Sequence, residues 1–319
     1  MSNIALVLPA YNEEQTIAAT IEDFYQVLPD AAIWVINNRS SDATEQTALD
    51  TLSRLKCKGG VINEKRPGKG NAVRRAFLDI DADIYILADA DLTYPAAQVH
   101  ELLTPVIAGE ADMVVGDRHS AGQYVTENKR ALHGFGNRLV CNLVNKLFRA
   151  DLADIMSGYR VLNRCFVKSY PILVEGFEIE TDMTLHALDK RFRIIEIPVN
   201  YRDRPPGSFS KLDTWRDGVR VLGTIGNILR YYRPLVFFGG AAIFFTLLGL
   251  LAGMPVINDW VTERYIHRIP LAILATGLEI IAIVLAAIGL ILDSITHQDK
   301  RNFERAFMSL EKKFQKIIK

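Results

Sequence analysis

Two aspartates after a short apolar run are the residues of this chain whose type and spacing point most directly to chemistry. Asp89 and Asp91 follow Ile84 to Leu87, a run with the length and composition of a buried strand. Alternate residues of a strand point to one side, so the two carboxylates would lie close together with their repulsion unrelieved. A hard divalent cation such as Mg²⁺ or Mn²⁺ would relieve that repulsion and bridge to a diphosphate. The pair therefore predicts a metal site.

The elements that must position this pair can be predicted from the first part of the sequence. Short apolar runs alternate with helical patterns, which predicts βαβ units and a mainly parallel α/β sheet. Ligands bind beyond the carboxyl ends of the strands in such sheets, and polar segments follow two of the other runs there. One rim is therefore expected to collect the polar residues. The predicted strands are Ile4 to Leu8, Ala32 to Ile36, Gly60 to Ile62 and Ile84 to Leu87, with helices from about Glu13, Asp42 and Lys69.

The polar segments at residues 9–14 and 37–42 also have simpler interpretations. Asn12 and the acids after it could cap a helix and complement its dipole, and the second segment could be a turn followed by a cap. The basic segment around Lys69 lacks the glycine spacing of a P-loop, so a turn is its simplest interpretation. Alternatively, Lys69 at a helix start lends positive charge to a nucleotide diphosphate.

Composition limits what the chain is expected to bind. Lysines and arginines equal the acidic residues at 37 each, so no overall field attracts nucleic acid. Cys57, Cys141 and Cys165 are scattered without CxxC spacing, which argues against a disulfide framework and against a thiolate zinc site. The apolar run at Ile4 to Leu8 is short and follows no basic segment, so we interpret it as a strand and not as a signal peptide.

Two long apolar stretches near the C-terminus predict membrane spans. Leu235 to Gly253 contains 19 residues without a charge. At about 1.5 Å per residue they cover the hydrocarbon core of a bilayer. Leu271 to Leu292 is as long and contains one ionisable residue, Glu279, which would cost roughly 3 kcal/mol there unless it is protonated or faces a partner. A pair of buried core helices is the alternative, but neither stretch shows a polar face at helical period.

Basic residues flank the two stretches and are sparse between them, which predicts that both chain ends are cytoplasmic. The chain is then an integral protein of the cytoplasmic membrane with its α/β domain on the cytoplasmic side. The segment before the spans has the pattern of a helix in the membrane interface, although a helix packed on the soluble domain fits too. The tail suits membrane-surface contact and self-association equally. The predicted boundaries are 1–211 for the α/β domain, 212–233 for the interfacial helix, 234–293 for the spans and 294–319 for the basic amphipathic tail.

Six segments taken in order resemble the family 2 glycosyltransferases with the GT-A fold. Within that family they resemble the polyprenyl-phosphate glycosyltransferases, which include dolichol-phosphate mannose synthase and the bacterial undecaprenyl-phosphate sugar transferases. The resemblance covers about residues 3 to 215, and the segments are specific only together. They are Leu8-Pro-Ala-Tyr-Asn-Glu-Glu14, Asn37-Asn-Arg-Ser-Ser-Asp42, Gly68-Lys-Gly-Asn-Ala72, Asp89-Ala-Asp91, Asp154-Ile-Met-Ser-Gly-Tyr-Arg160, and Tyr201-Arg-Asp-Arg204 leading to Ser210-Lys211.

The resemblance implies roles on the donor side. The nucleotide would be held by Pro9, Tyr11, Glu13 and Asn38, and the Asp89–Asp91 pair would hold the metal and, through it, the diphosphate. The family usually has Asp where Asn38 stands. An amide still offers both a donor and an acceptor to a base edge, but the base contact differs.

On the acceptor side, the resemblance implies that residues 154–160 form a loop containing Asp154, Ser157 and Arg160. Asp154 is a candidate base or acceptor-positioning group, and a helix cap is its simpler interpretation. A basic segment would close over the donor and acceptor phosphates, although its arginines could also pair with nearby aspartates on a solvated loop. Acids near the acceptor side are interpreted either as contacts to sugar hydroxyls or as stabilisers of a helix N-terminus. The basic segment comprises Arg202, Arg204, Ser210 and Lys211, and the acids are Glu178, Glu180 and Asp182.

The implied activity is inverting transfer of a sugar from a nucleotide-sugar to a polyprenyl phosphate, whose head group lies at the bilayer surface. A phosphate oxygen is already anionic at neutral pH and scarcely needs a general base. The expected donors are UDP-glucose and UDP-N-acetylglucosamine, with GDP-mannose as the alternative. Relatives of this kind can form homotetramers, which leaves a homo-oligomer open.

Three rival functions compete with this one. A processive polysaccharide synthase would resemble its family in a QxxRW motif and additional spans, and the sequence has neither. A nucleotidyltransferase would have a glycine- and arginine-rich first loop where Pro9-Ala10-Tyr11 stands. A catalytically silent membrane scaffold that binds nucleotide-sugars stays open, although intact paired carboxylates count against it.

Overall fold

The computed structural model describes residues 3–120, 131–176, 178–202, 223 and 225–318. The chain forms two compact units, Met1–Thr214 with Leu310–Lys319, and Trp215–Ser309. The strands are β1 (Ile4–Ala10), β2 (Ala32–Asn37), β3 (Gly59–Asn63), β4 (Ile84–Leu87), β5 (Met113–Asp117), β6 (Arg160–Asn163) and β7 (Ile194–Pro198). The helices are α1 (Ile17–Val27), α2 (Thr44–Leu55), α3 (Lys69–Asp79), α4 (Val99–Ile107), α5 (Ala131–Phe148), α6 (Arg164–Ser169), α7 (Ile179–Asp189), α8 (Pro234–Glu263) and α9 (Ile269–Ile318).

The strands of the first unit form one seven-stranded sheet in the order β3-β2-β1-β4-β6-β5-β7. Strands β1 to β4 pair in parallel, as do β5 and β7. The prediction of a mainly parallel α/β sheet is therefore confirmed. Strand β6 runs antiparallel to both β4 and β5, a feature that the βαβ alternation does not predict.

The central strands carry apolar residues on both faces because helices cover the sheet on both sides. All four residues of β4 are buried between β1 and β6. Helix α1 buries Ile17, Ile21 and Phe24 in the same core. This packing fixes the carboxyl ends of β1, β2 and β4 side by side at one edge of the sheet.

Three residues beyond these strand ends have left-handed backbone conformations. Their φ angles are +56° at Asn12, +60° at Arg39 and +64° at Leu92. Such angles are uncommon outside glycine and concentrate at functional loops. They turn the chain sharply at the rim and delay the first helix, which begins at Ile17 and not near Glu13. The predicted helix start was therefore several residues too early.

The second unit contains two long apolar helices that pack antiparallel. A Cβ on Gly249 of α8 would lie 2.6 Å from Glu279 Oε1 of α9, and one on Gly289 of α9 would lie 3.2 Å from Phe238 Cβ. Glycine thus allows close approach at two levels, as is common between membrane helices. Glu279 of α9 therefore faces α8 at Gly249, where any larger residue would collide with the Glu279 carboxylate.

Both helices are long and apolar enough to cross a membrane. Only 11% and 6% of their most apolar windows are buried within the described residues. A core helix of a soluble protein would be mostly buried, so the alternative of two core helices does not fit. Helix α9 continues without a break from the second predicted span into the predicted tail, because neither glycine nor proline occurs between Leu292 and Ile318. Of the predicted interfacial helix, residues 225–232 are helical and most of 212–224 lies outside the described residues.

Candidate active site

The loops after β1 and β2 are joined by hydrogen bonds between short polar groups. Asn12 Oδ1 accepts from the Ser41 backbone N–H at 2.8 Å, and the Asn12 N–H donates to Ser40 Oγ at 3.0 Å. The Glu13 N–H donates to Thr44 Oγ1 at 2.8 Å. Asn12 therefore ties two loops together and does not cap α1. The predicted donor-side motif is a rigid corner of the rim.

The predicted nucleotide contacts differ in exposure at this corner. Tyr11 is 47% exposed, so a face of its ring is open to solvent. Pro9 lies within β1 and is half-buried. The carboxylate of Glu13 accepts a hydrogen bond from Thr16 Oγ1 at 3.0 Å, inside the turn that precedes α1. Of these three residues, Tyr11 is the most exposed.

Asn38 connects the end of β2 to the loop before α3. Its Nδ2 donates to Arg66 O at 2.6 Å and its Oδ1 accepts from the Gly68 N–H at 2.8 Å. Its own N–H donates to Ala10 O at 2.9 Å, at the end of β1. A carboxylate could accept from Gly68 but could not donate to Arg66. These contacts give a physical reason for an amide at a position where the resembling family usually has Asp.

Two glycines bring the loop before α3 against a distant segment. A Cβ on Gly68, where φ is +112°, would lie 2.1 Å from Glu175 O, and a Cβ on Gly70 would lie 2.3 Å from Val174 O. Only glycine fits such approaches without moving the backbone. The start of α3, which contains Lys69, is thereby held beside the segment that leads into α7.

Lys69 forms ion pairs with two carboxylates from different elements. Its Nζ pairs with Asp89 Oδ1 and lies 2.5 Å from Glu180 Oε1 on α7. Burial alone would lower the pKa of Lys69, but the negative charges of Asp89 and Glu180 outweigh burial and raise that pKa. Lys69 is therefore a fixed cation within the predicted metal-binding end of β4. Its predicted contact with a diphosphate stays a prediction.

Gly158 covers this ion pair. A Cβ there would lie 3.0 Å from both Lys69 Nζ and Asp89 Oδ2. Its N–H donates to the Tyr94 hydroxyl at 2.9 Å. Gly158 thus lets the loop at residues 154–158 pass directly over the end of β4. The predicted acceptor loop and the predicted metal pair are neighbours.

The two aspartates of the pair have different surroundings. The Asp89 side chain is 28% exposed, whereas Asp91 is 2% exposed. Asp91 Oδ1 accepts from the N–H and the hydroxyl of Thr93, at 3.2 and 2.5 Å.

Tyr201 lies near the buried Asp91 carboxylate. Burial, followed by the negative charge of Asp91, raises the pKa of Tyr201 to about 12. Tyr201 is therefore neutral at physiological pH beside this carboxylate.

These carboxylates fit a hard divalent cation that takes the rest of its ligands from elsewhere. Within residues 3–120, 131–176, 178–202 and 225–318, no three acidic, His or Cys side chains are grouped as a complete protein cage. Mg²⁺ commonly binds through one or two carboxylates and completes its shell with water and substrate phosphates. The donor set at the end of β4 matches that pattern.

Asp154 is fully buried and pairs with a residue that the sequence patterns did not single out. Arg118 Nε lies 2.6 Å from Asp154 Oδ2, and Arg118 Nη2 lies 2.9 Å from Oδ1. Burial alone would raise the pKa of Asp154, but the Arg118 charge outweighs it and holds that pKa below its ordinary value. With both oxygens engaged, the geometry favours a positioning role for Asp154. Its role as a base stays a prediction that these contacts do not support.

Arg118 follows β5 and lies beside the segment that carries Arg202. Its guanidinium carbon is 5.6 Å from the centre of the Tyr201 ring. The Arg202 N–H donates to Thr93 O at 3.0 Å. This bond joins the backbone of Arg202 to the loop that contains Asp91. The exposed Arg202 side chain therefore starts at the rim. Polar residues directly after the apolar strand Met113–Asp117 are the signal that could have identified Arg118.

Ser157 and Arg160 are fully buried. Arg160 donates to Ser157 O and to Ile155 O, each at 2.8 Å, and to Thr184 Oγ1 at 2.9 Å. These contacts fasten the loop to α7 and favour structural roles for both side chains. Their predicted contacts with a ligand stay predictions. Arg204, Ser210 and Lys211 lie outside the described residues.

The acids at the start of α7 do not act alike. Glu180 pairs with Lys69, as described above, whereas Asp182 accepts a hydrogen bond from the Tyr170 hydroxyl at 2.6 Å. Burial raises the pKa of Asp182. Neither interpretation drawn from the sequence anticipated an ion pair between Glu180 and the start of α3.

Comparison with known proteins shows the family to which this chain belongs. The family model described as Glycosyl transferase family 2 matches residues 5–170. Glycosyltransferase AglJ of Haloferax volcanii is 29% identical over 303 residues, which are 95% of this chain and 96% of the relative. A dolichyl-phosphate hexose transferase of the same organism is 27% identical over 219 residues, 69% of this chain and 90% of the relative.

A solved structure shares the fold. Glucosyl-3-phosphoglycerate synthase from Mycobacterium tuberculosis superposes with a TM-score of 0.57 at 21% identity, covering 72% of this chain and 79% of that one. Its likeness extends the family assignment to the three-dimensional architecture. This chain belongs to glycosyl transferase family 2 and is a glycosyltransferase enzyme with the GT-A fold.

Proposed function

We propose that this enzyme transfers a sugar from a nucleotide-sugar, with a UDP-sugar as the first candidate, to a polyprenyl phosphate at a membrane surface. The observation that carries the proposal is the union in one chain of a GT-A rim with two long apolar helices. A water-soluble sugar acceptor would not require a membrane anchor, whereas a polyprenyl phosphate presents its head group at the bilayer surface.

Named relatives support both substrates. A dolichyl-phosphate hexose transferase matches most of this chain, which favours a lipid phosphate acceptor. The structural neighbour was solved with Mn²⁺, uridine diphosphate and glucosyl-3-phosphoglycerate, which favours a UDP-sugar and a divalent cation. The sugar-carrying phosphate ester in that structure, glucosyl-3-phosphoglycerate, is small, and here the two apolar helices favour a lipid in place of its phosphoglycerate part.

On the donor side, Asp89 and Asp91 would hold the divalent cation. When bound, the cation supplies positive charge that neutralises the departing diphosphate. Lys69 keeps a second positive charge beside Asp89 and lowers the repulsion between the protein carboxylates and a phosphate ligand. The exposed Tyr11 ring offers a stacking surface at the corner where the nucleotide is expected.

On the acceptor side, the Arg118 guanidinium lies against the Tyr201 ring, and the Arg202 backbone is bonded to Thr93 O, two residues after Asp91. Guanidinium groups recognise phosphate through paired N–H donors. Asp154 fixes the direction of Arg118 through two ion-pair contacts. Since the phosphate acceptor is already an anion, the residues need only align it with the anomeric carbon. Direct displacement would invert the anomeric centre, so an α-linked donor would yield a β-linked lipid phosphate sugar.

The test is sugar transfer by membranes that contain the full chain. They are incubated with undecaprenyl phosphate and one radiolabelled donor at a time: UDP-glucose, UDP-N-acetylglucosamine or GDP-mannose. We expect label from one UDP-sugar to enter the organic phase, and the entry to stop when EDTA removes divalent cations. Label from GDP-mannose alone would replace the donor assignment and keep the acceptor.

Three results would contradict parts of the proposal. Donor binding without transfer to any lipid or water-soluble acceptor would favour the silent scaffold. Transfer to phosphoglycerate at the same rate with and without undecaprenyl phosphate would show that the acceptor is soluble. Transfer that is undiminished by EDTA would remove the metal role.

A further inference from the structure

An apolar groove lies at the turn end of the hairpin, where α8 ends and α9 begins. The cationic side chain of Arg264 is part of its lining. The groove, here called the turn groove, has a volume of about 710 Å³. That volume is within the range of small-molecule sites. Its lining includes Trp260, Arg264, Tyr265, Ile273, Gly277 and Ile280.

The depth of the turn groove matches one leaflet of a bilayer. Its lining on α9 extends from Ile269 to Ile280 along one face of the helix. At 1.5 Å per residue this distance is about 16 Å, roughly half of a hydrocarbon core about 30 Å thick. Trp260 and Tyr265 lie at its outer end, where aromatic side chains meet lipid head groups. The groove therefore has the length of a lipid chain in one leaflet.

The charges at the mouth of the groove are unequally paired. His267 contacts Glu263 at 2.6 Å, and Arg268 contacts Asp259 at 3.5 Å. Among the residues that the structure describes, Arg264 forms no ion pair, and its guanidinium lies 6.0 Å from the centre of the Trp260 ring. An arginine without a carboxylate partner at the edge of an apolar groove is suited to an anionic head group.

The face of α9 that lines the groove has empty space beside Gly277, whereas the opposite face of α9 packs against α8. A Cβ on Gly277 would meet nothing within 4 Å, whereas one on Gly249 or Gly289, between the two helices, would meet Glu279 or Phe238 at 2.6 and 3.2 Å. Within the second unit, the hairpin seals itself on one face of α9 and leaves space at Gly277. Something other than this hairpin fills that space in a membrane.

We propose that the turn groove binds one anionic glycerophospholipid from the leaflet at the turn end of the hairpin. Its phosphate lies on Arg264, and an acyl chain follows Ile273, Gly277 and Ile280. The complementary charge and the one-leaflet depth distinguish this occupant from a protein partner. The site requires that the hairpin spans a membrane, but it does not depend on the identity of the sugar donor or acceptor.

The test is lipid binding to the full-length protein, measured by native mass spectrometry in detergent with phosphatidylglycerol or phosphatidylcholine of equal chain length. We expect tighter binding of phosphatidylglycerol. Arg264→Gln should weaken it about fivefold, the effect of one basic residue at a lipid surface, and leave phosphatidylcholine unchanged. Arg268→Gln is the matched control, because it removes an equal charge from the same turn but from a paired arginine, and it should have little effect.

A second variant tests the chain-binding wall. Gly277→Leu should fill the groove and weaken both lipids, whereas Gly240→Leu, at an equally open position of α8, should weaken neither. Equal binding of the two lipids to the unaltered protein would overturn the proposal, as would equal effects of the two arginine variants. So would displacement of phosphatidylglycerol by undecaprenyl phosphate at equal concentration, since the groove would then belong to the acceptor. Sugar transfer is measured on the same preparations, so failure of the lipid site and failure of the proposed activity are separable.

Discussion

The rim of the sheet has two halves that hold their loops by different interactions. In the amide half, formed by Asn12, Asn38, Ser40 and Ser41, neutral side chains bond mainly to backbone groups, and Ser41 Oγ also donates to Asn12 Oδ1. In the charged half, ion pairs join separate elements, and their members are Lys69, Asp89, Glu180, Arg118 and Asp154. The first half fixes backbone shape, whereas the second fixes the positions of charges.

This difference predicts different responses to substitution. A neutral hydrogen bond contributes about 1 kcal/mol, because water competes for both partners. Removing one member of a buried ion pair costs more, since the remaining charge stays in the protein interior without compensation. Substitutions in the charged half should therefore act strongly on activity or stability, and those in the amide half should act weakly.

The largest effect is expected at the end of β4. Asp91→Asn keeps the size of the side chain and an oxygen that can accept from Thr93, but removes a charge of the proposed cation site. We expect sugar transfer to fall by about a thousandfold or more, with the protein still folded. Asp50→Asn, on the exposed face of α2, is the control. An Asp91→Asn enzyme with near-normal turnover would show that the end of β4 does not act through this carboxylate.

The second largest effect is expected on stability. It compares Lys69, a lysine held in ion pairs, with Lys58, a lysine exposed to solvent. Lys69→Met leaves Asp89 and Glu180 without their shared positive charge, which should lower the free energy of unfolding by about 3 kcal/mol. Thermal unfolding of the detergent-solubilised protein measures the loss, with Lys58→Met at an exposed position as the control. Adding Glu180→Gln should restore part of the stability, because one unpaired charge is removed. Strictly additive losses would mean that the two residues do not interact.

The sequence predicts the amide half better than the charged half, and the reason is chain distance. Residues around Asn12 and Asn38 follow two early strands, and the βαβ alternation alone places them together. Lys69 and Glu180 are brought together only by the packing of the loop before α3 against the segment before α7. Periodicity shows neither this contact nor the antiparallel strand β6, because both depend on tertiary packing.

The predicted metal pair, Asp89 and Asp91, shows that sequence patterns miss tertiary detail even between residues two positions apart. Strand alternation predicts two equivalent carboxylates at Asp89 and Asp91. The left-handed turn at Leu92 instead brings Thr93 onto Asp91 and buries it, while Asp89 stays partly exposed and pairs with Lys69. Residue type and order predict the pair, but only the turn geometry distinguishes its two members.

A third prediction tests whether Asp154 positions Arg118. Asp154→Asn should lower stability by about 2 kcal/mol at pH 7 and raise KM for the lipid acceptor more than it lowers kcat. The folded pKa of Asp154 lies below the ordinary value of 3.8, so its contribution is present at neutral pH and is lost as pH falls below that value. The stability difference between the two proteins should therefore shrink in that acidic range. A loss of kcat alone, with KM and the pH profile unchanged, would favour a direct chemical role.

The smallest effect is expected in the amide half, at the position where the resembling family usually has Asp. Asn38→Asp keeps an acceptor for Gly68 but places a carboxylate oxygen against Arg66 O, so stability should fall by about 1 kcal/mol at pH 7. The folded pKa of the new carboxyl should be raised, because its protonated form can donate to Arg66 O, and the deficit should therefore narrow as pH falls through that pKa. Thermal unfolding at pH 7 and pH 4, with exposed Asn200→Asp as the control, measures both effects. Equal stability of Asn38→Asp and the unaltered protein at both pH values would mean that the loop before α3 adapts to either side chain. The amide of Asn38 would then serve to contact the ligand and not to hold the loop. The two halves of the rim would differ in the ligand groups they bind and not in the strength of the interactions that hold their loops.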